Sequence, residues 1–191
     1  TSFNSDGFST GTEGGINLST KNFVAWCWDA GTAQAATGTW GDNSKTYWRW
    51  TNATAGFSII KWVADNTTGS NGLKVPHGLS VPPELVFYKN LDQDANWDTA
   101  TTVIDGSMDG LLLNTSAAKW DDGNTLMDNN YIQNWGYDDD IDMIAYAFVS
   151  IPGYSKIGSY EGTGSASTGP FVYTGFRPRW LLTHCVDTTG G

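Results

Sequence analysis

The sequence predicts an all-β fold, an antiparallel β-sandwich of jelly-roll-like type, on three observations. Its apolar segments are short, rich in β-branched and aromatic residues, and bounded by clusters of Gly, Asn, Asp and Ser. No segment shows the 3.6-residue apolar period of an amphipathic helix, so the crossover helices of a parallel βαβ fold are missing. About ten such segments follow one another at the close spacing that is typical of sandwiches.

Each predicted strand is an apolar run between turn residues. In FVAWCW, residues 23–28, both alternating sets of side chains are apolar, and MIAYAFV, residues 143–149, has the same pattern. A strand that is apolar on both faces is covered on both sides, by a second sheet or by a neighbouring subunit. The predicted strands are residues 22–28, 47–50, 57–63, 84–90, 101–104, 111–114, 131–135, 142–150, 155–160 and 179–186.

Composition narrows the class of protein. The chain has 191 residues, 20 acidic and 10 basic side chains and a formal net charge of −10, a poor balance for binding nucleic acid through its phosphates. Ten tryptophans and an aromatic share of 14% argue against a disordered chain. The longest apolar run, residues 143–149, is much shorter than the ~20 residues of a spanning helix, so no membrane insertion is expected.

The chain also resembles itself. Three segments recur in the same order: 23–28 matches 143–148, 57–62 matches 154–160, and 82–92 matches 177–187. An insertion at residues 29–56 accounts for the extra length before the second segment. The alternative is that short strands joined by glycine turns look alike by chance.

The repeat predicts the domain organisation. Residues 1–191 are a single β-rich region made of partial and complete copies of one unit. Residues 1–56 are the end of one unit and carry the insertion 29–56. Residues 57–153 are a complete unit, and residues 154–191 begin the next one.

Several motifs carry a resemblance to a known family. They are NFVAWCW, the pair HGL and PPELVFYKN, LLLNTSAAKW and, most specifically, GYSKIGSY followed by GPFVYTGFRP. On these motifs the chain resembles a family of repeat-bearing phage virion proteins, common in marine and cyanobacterial phages and described as tail-fibre-like or uncharacterised structural proteins. The similarity covers roughly residues 3–187, and residues 29–56 depart from the usual spacing. The resemblance implies a β-rich virion component, often adjoining lectin-like sandwich modules, and supplies no agreed catalytic residues.

From the resemblance we expect a virion structural protein, a fibre, appendage or decoration subunit without enzymatic activity. It would be assembled in the host cytoplasm and found in the virion. The expected partners are copies of itself in a homo-oligomer, other virion proteins and host cell-surface glycans, but no nucleic acid. The alternative is a carbohydrate-binding module or a polysaccharide depolymerase of a secreted or virion protein.

The insertion supplies the candidate ligand-binding residues, Trp40, Tyr47, Trp48 and Trp50. Exposed aromatic rings are a common platform for sugar faces. Trp48 and Trp50 lie two residues apart, so a strand places them on one face. Burial against the sandwich and packing at a subunit interface are the competing explanations.

A candidate metal loop follows one predicted strand. Asp92, Asp94, Asn96 and Asp98 alternate as in loops whose oxygens converge on calcium, the one cofactor that the sequence suggests. The loop lacks a glycine at its sixth position, where Trp97 stands, and no glutamate follows at the twelfth. A solvated hairpin loop is the alternative, and a strand beginning at Trp97 would draw Asp98 out of the ring. A second acidic run, residues 138–140 with 142, needs a cation or simple exposure to relieve its repulsion.

The remaining reactive residues are expected to be structural. Cys27 and Cys185 allow at most one disulfide, and both stand in apolar runs where a buried free thiol is the commoner state. His77 precedes a predicted strand and His184 lies within one. Neither is expected to serve catalysis.

Overall fold

The structure, a computed structural model, describes residues 2–12, 15–31, 36–40, 44–65, 74–123, 127–133, 139–165 and 167–187. Within these ranges the side chains of Phe3, Ala36, Thr37 and Trp40 are not described. The described residues form strands and irregular segments and contain no helix. The strands are β1 Ser2–Asn4, β2 Gly7–Ser9, β3 Ala36–Trp40, β4 Lys45–Asn52, β5 Phe57–Val63, β6 Lys74–Pro76, β7 Leu85–Asn90, β8 Trp97–Thr101, β9 Asp109–Leu112, β10 Trp120–Asp121, β11 Tyr131–Gln133 and β12 Asp142–Phe148.

Eight of these strands form one antiparallel sheet, in the order β10-β9-β8-β7-β12-β5-β4-β3. β12 lies inside it, with Phe148 opposite Phe57 of β5 on one side and opposite Leu85 of β7 on the other. β6 and β11 form a small two-stranded antiparallel sheet, and β1 and β2 form a separate hairpin. The large sheet remains open, with β10 and β3 at its edges.

The core lies between the large sheet and the small one. Trp62, Tyr88 and Met143 of the large sheet are fully buried, and Val75 of β6 and Ile132 of β11 belong to the same buried cluster. The rings of Trp62 and Tyr88 meet edge to face, with 6.3 Å between centroids, a favourable aromatic geometry. The two layers make an all-β antiparallel sandwich, which confirms the predicted fold class.

The opposite side of the large sheet is also apolar but only partly covered. Strand alternation and the cross-strand register place these side chains together. Most are half-buried, whereas Phe57 is buried. We call this surface the outer face, made by Trp48, Trp50, Phe57, Ile59, Phe87, Tyr146 and Phe148.

The strand predictions match the structure at β5, β7 and β12 and are wrong at the flanks of the chain. β5 occupies residues 57–63 as predicted, and β12 begins at Asp142 as predicted. Residues 22–28, 156–160 and 179–186 form no strand. A strand needs a partner for its backbone N–H and C=O groups, and within the described residues none of these segments has a ladder. Residues 102–104 form a turn after β8 rather than a strand.

The two cysteines lie in these flanking segments. Both are free and both are exposed. The expectation of free thiols is confirmed, and the expectation of burial is wrong because the segments that carry them have no covering layer.

Candidate functional site

The indoles of Trp48 and Trp50 lie side by side on β4, next to the edge strand β3, and face outward. Lys61 of β5 places its Nζ 5.6 Å from the centroid of the Trp48 ring, within the range of a cation–π contact. The same Nζ lies 2.7 Å from Oδ2 of Asp142. This arrangement combines two aromatic rings with an ion pair, a combination that can stack on a sugar and bind its hydroxyl groups.

Of the four predicted aromatic residues, Tyr47 lies away from this pair. Tyr47 projects to the opposite side of the sheet and packs against the core, where a Cβ added at Gly38 would lie 2.9 Å from its Cε1. The side chain of Trp40 lies outside the described residues. Tyr47 therefore does not share a face with Trp48 and Trp50, because neighbouring residues of a strand point to opposite faces, and its role in ligand binding stays a prediction.

The predicted calcium loop connects β7 to β8, and its side chains bind other parts of the protein. Asp92 Oδ2 accepts a hydrogen bond from the backbone N–H of Asp142 at 2.7 Å. Asn96 Oδ1 accepts one from Asn114 at 3.0 Å. Asp98 lies in β8, which begins at Trp97. Asp94 is exposed. These contacts fit a structured hairpin loop, and calcium binding there stays a prediction.

The second acidic run is neutralised by lysines. Lys45 Nζ lies 3.0 Å from Asp139 and 2.7 Å from Asp140, and hydrogen bonds to Asp140 and then Asp139 raise the pKa of Lys45. Asp142 pairs with Lys61, and residue 138 lies outside the described residues. Ion pairing therefore relieves the repulsion among the described members.

A carboxylate cluster that the sequence did not indicate surrounds Lys119. Its Nζ lies 2.6 Å from Asp109, 2.9 Å from Asp105 and 2.9 Å from Asp121. Asp109 is fully buried, and its Oδ2 has no hydrogen-bond partner. Pairing of β10 with β9 places Asp121 opposite Asp109, a long-range register that no local motif signals.

The cluster has the chemistry of a cation site with an ammonium group in it. Carboxylate oxygens of the three aspartates lie within 4.8 Å of one another and could hold a metal. Hydrogen bonds to Asp109, Asp121 and Asp105 raise the pKa of Lys119. Hydrogen bonds from Ser107 and then Lys119 lower the pKa of Asp105. The ammonium group thus takes the place that a metal ion would occupy.

His77 lies on the inner side of the sheet. Its Nδ1 accepts a hydrogen bond from the N–H of Leu79 at 3.2 Å, so Nε2 carries the proton and donates to the carbonyl of Asp128 at 2.9 Å. Burial lowers the pKa of His77, the largest cause of its shift. The ring is therefore neutral at pH 7 and links the segment after β6 to the turn before β11, which fits the structural role expected of it.

In the part of the chain that the structure describes, no helix has the length and apolar character needed to cross a membrane. A family model described as a domain of unknown function, DUF7483, matches residues 1–191. No curated protein and no solved structure matches the sequence. Because the match extends over all of the sequence, the chain belongs to the DUF7483 family.

Proposed function

We propose that the chain is a structural subunit of a bacteriophage virion, part of a fibre, appendage or decoration layer, that assembles with copies of itself. Support comes from the motif resemblance over residues 3–187 and from the all-β sandwich fold. The observation that carries the proposal is an apolar outer face with two exposed apolar segments lying at its end. A surface of this kind favours a protein that works inside an assembly.

The two segments, residues 23–28 and 180–185, are called the arms. Trp28 of the first arm has its ring centroid 6.3 Å from those of Phe57 and Phe148 on the outer face. It also lies 5.9 Å from the ring centroid of Trp180 in the second arm, edge to face. Beyond this contact most arm residues are exposed, Trp26 at 61% and Leu181 at 76%, whereas His184 is half-buried.

The internal repeat suggests how the arms could be covered. The first arm matches β12 in sequence and the second matches β7, and β12 pairs with β7 in the large sheet. In that ladder Phe148 stands opposite Leu85, the positions that match Trp28 and Trp180. Within one chain Trp28 and Trp180 are in contact at these same two positions, but the described arms form no ladder with each other. We propose that the first arm of one copy pairs with the second arm of another copy.

Cysteine cross-linking tests this pairing at single-residue register. The β12–β7 ladder pairs Met143 with Asn90, which places Phe23 opposite Cys185. A Phe23→Cys variant, in a Cys27→Ser background, is expected to give a disulfide-linked dimer under mild oxidation, seen on a non-reducing gel. Val24→Cys in the same background is the control one residue out of register.

Two results would contradict the assembly. A cross-link formed only within single chains would show that the arms pair in the same molecule. Light scattering that shows a stable monomer at micromolar concentration, with no cross-link, would remove the interface altogether. Removal of the second thiol by Cys185→Ser must abolish the Phe23→Cys cross-link in either case.

Carbohydrate binding is the second candidate function, favoured by the adjacent indoles of Trp48 and Trp50 and the Lys61–Asp142 pair beside them. A glycan array tests it, and Trp48→Ala and Trp50→Ala should each abolish a positive signal. Trp120→Ala, at the far edge of the sheet, is the control. An array with no signal rejects this candidate and leaves the structural proposal intact.

The depolymerase alternative has less support. Glycoside cleavage needs two carboxyl groups about 5–9.5 Å apart across a groove. Glu84, one of three glutamates in the sequence, accepts a hydrogen bond from the backbone N–H of Ser150 and so serves the connection after β12. A reducing-sugar assay with the array-positive glycan separates a hydrolase from a binder.

A further inference from the structure

A polar cleft of about 330 Å³ opens where β4 meets the small sheet. Its walls include Arg49 of β4, Gly78 and Ser80 from the segment after β6, Asn129 and Asn130 from the turn before β11, and Tyr131 at the start of β11. No carboxylate is among these residues. The volume lies at the small end of ligand pockets, about 300–1,000 Å³, and suits a molecule the size of one sugar or smaller.

Arg49 is the unusual member of this cleft. Its Nε is buried and has no hydrogen-bond partner. Three lysines of the chain, Lys45, Lys61 and Lys119, pair with aspartates, but none of the ion pairs found among the described residues includes Arg49. A buried donor without a partner costs about 1–3 kcal/mol, so its persistence suggests that a ligand can satisfy it.

The backbone around Arg49 is shaped to hold the guanidinium group in place. Gly78 has φ +79°, and a Cβ there would lie 2.6 Å from Nε of Arg49 and 2.9 Å from Oγ1 of Thr51. Only glycine allows this approach. The guanidinium group is therefore held against the backbone at the wall of the cleft. Its conformational entropy is lost when the chain folds, so ligand binding does not have to order it again.

Among the described residues, no charged or titratable group forms an ion pair with Arg49. His77 is neutral and makes hydrogen bonds to backbone groups at both ring nitrogens. Asp128 turns its Oδ1 to the backbone N–H groups of Asn130 and Tyr131, at 2.8 and 2.7 Å. The cleft therefore presents one fixed cation, with the side chains of Ser80, Asn129 and Asn130 as neutral hydrogen-bonding groups around it.

We infer that this cleft binds a small oxyanion, a carboxylate or a phosphate group, on Arg49. The planar guanidinium fork matches such groups with two parallel hydrogen bonds. The amide and hydroxyl side chains can bind the remainder of the ligand, and Tyr131 can contact an apolar part of it. This site lies apart from the outer face and the arms. A negative result for oxyanion binding therefore does not affect the proposed assembly, and a negative result for assembly does not affect this site.

Nitrogen–proton correlation NMR of the full chain tests the site, because the Nε–H group of Arg49 gives its own signal and Arg49→Lys assigns it. The probes are sodium phosphate, sodium glucuronate, glucose and sodium chloride at constant ionic strength. We expect a saturable shift of the Arg49 Nε–H signal and of the backbone signals of residues 78–80 and 129–131 with phosphate or glucuronate, and none with glucose or chloride. Which of the two oxyanions saturates the site identifies the ligand class.

Two arginine variants, one inside the cleft and one outside it, are compared for oxyanion binding. Arg49→Met should weaken binding by roughly tenfold or more, as expected for loss of a hydrogen bond to a charged group. Arg177→Met, in an exposed segment outside the cleft, should leave binding unchanged. No saturable shift of the wild-type Nε–H signal with either oxyanion, or an equal shift with chloride, overturns the proposal without reference to any variant. Unchanged binding in a folded Arg49→Met protein also overturns it.

Discussion

Gly56 shows how a single residue without a side chain can hold two parts of the fold together. It has φ +65°, and an added Cβ would lie 2.6 Å from the carbonyl oxygen of Val149 and 2.7 Å from Cγ1 of Ile151. Its own carbonyl accepts a hydrogen bond from the N–H of Val149 at 2.8 Å. The turn before β5 and the segment after β12 therefore meet at this position.

Alanine at Gly56 should lower stability for two reasons. Its side chain disfavours the positive φ, and its Cβ would be too close to atoms of Val149 and Ile151. We expect Gly56→Ala to lower the free energy of unfolding by about 2–4 kcal/mol. Gly153 is the control, since its φ is +77° but nothing lies within 4 Å of an added Cβ. Gly153→Ala should cost only the conformational part, about 1 kcal/mol. Urea denaturation compares the two, and equal losses would show that the contact at Gly56 is relieved by movement.

Replacement of Lys119 gives a second prediction for a single residue. Lys119→Met leaves three carboxylates together, with Asp109 fully buried. Because an uncompensated buried charge is strongly destabilising, we expect the Tm to fall by roughly 5–10 °C. Millimolar calcium should restore part of the loss in this variant, since the carboxylate oxygens match its preferred ligands.

The wild-type protein and one further variant serve as controls for the Lys119 cluster. Calcium should change the wild-type Tm little, because the ammonium group already neutralises the three aspartates. Lys61→Met, whose partner Asp142 has a 37% exposed side chain, should be less destabilised and should not respond to calcium. Failure of calcium to raise the Tm of Lys119→Met would mean that the carboxylates separate when the lysine is removed.

At the scale of elements, β4 and β5 have two faces with different burial. Trp62 on β5 is fully buried against the small sheet, whereas Trp48 on β4 is half-buried on the outer face. Alternation alone predicts that Trp48 and Trp50 share a side. It does not predict which side becomes the core, because the tryptophans of both faces are large and apolar.

Truncation of one tryptophan on each face compares how much the two faces contribute to stability. Trp62→Ala should lower the free energy of unfolding by about 3–5 kcal/mol, the range for a large aromatic residue removed from a core. Trp48→Ala should cost less than about 2 kcal/mol, because less apolar area is removed from water in the folded chain. Chemical denaturation of both variants at one low concentration provides the measurement. A cost at Trp48 equal to that at Trp62 would show that the outer face is covered even in the isolated chain.

Across the whole molecule, a net charge of −10 opposes association while the outer face and the arms favour it. The balance can be shifted by adding charge to the arms. Trp26 is 61% exposed and Leu182 is 47% exposed, so aspartate at both positions removes apolar contact area with little effect on the core.

We therefore expect the Trp26→Asp, Leu182→Asp double variant to associate less than the wild type and to keep its Tm. Sedimentation velocity over a range of concentrations measures the association. Phe171→Asp adds a negative charge at an 89% exposed residue outside the arms and should change association far less. Equal effects of the two changes would assign the association to net charge rather than to the arms.

The sequence predicted the central strands well, and the reason is local. β5 and β12 carry β-branched and aromatic residues between turn residues, and both match their predicted positions closely. β1, β2, β3, β6 and β10 were missed, since each is only two to five residues long, and β8 was anticipated at Thr101 alone. The arms have equally strong strand patterns but form no ladder, because a strand requires a partner edge as well as a suitable sequence.

By itself the sequence determined the fold class, because its apolar runs are short, rich in β-branched and aromatic residues, bounded by turn residues and without a helical period. It also determined that Trp48 and Trp50 share a face. Only the tertiary structure decided that Tyr47 faces the core, that Lys119 lies among three aspartates, and that Arg49 lies in a cleft without a carboxylate. These arrangements depend on strand register and sheet packing, which local sequence does not fix.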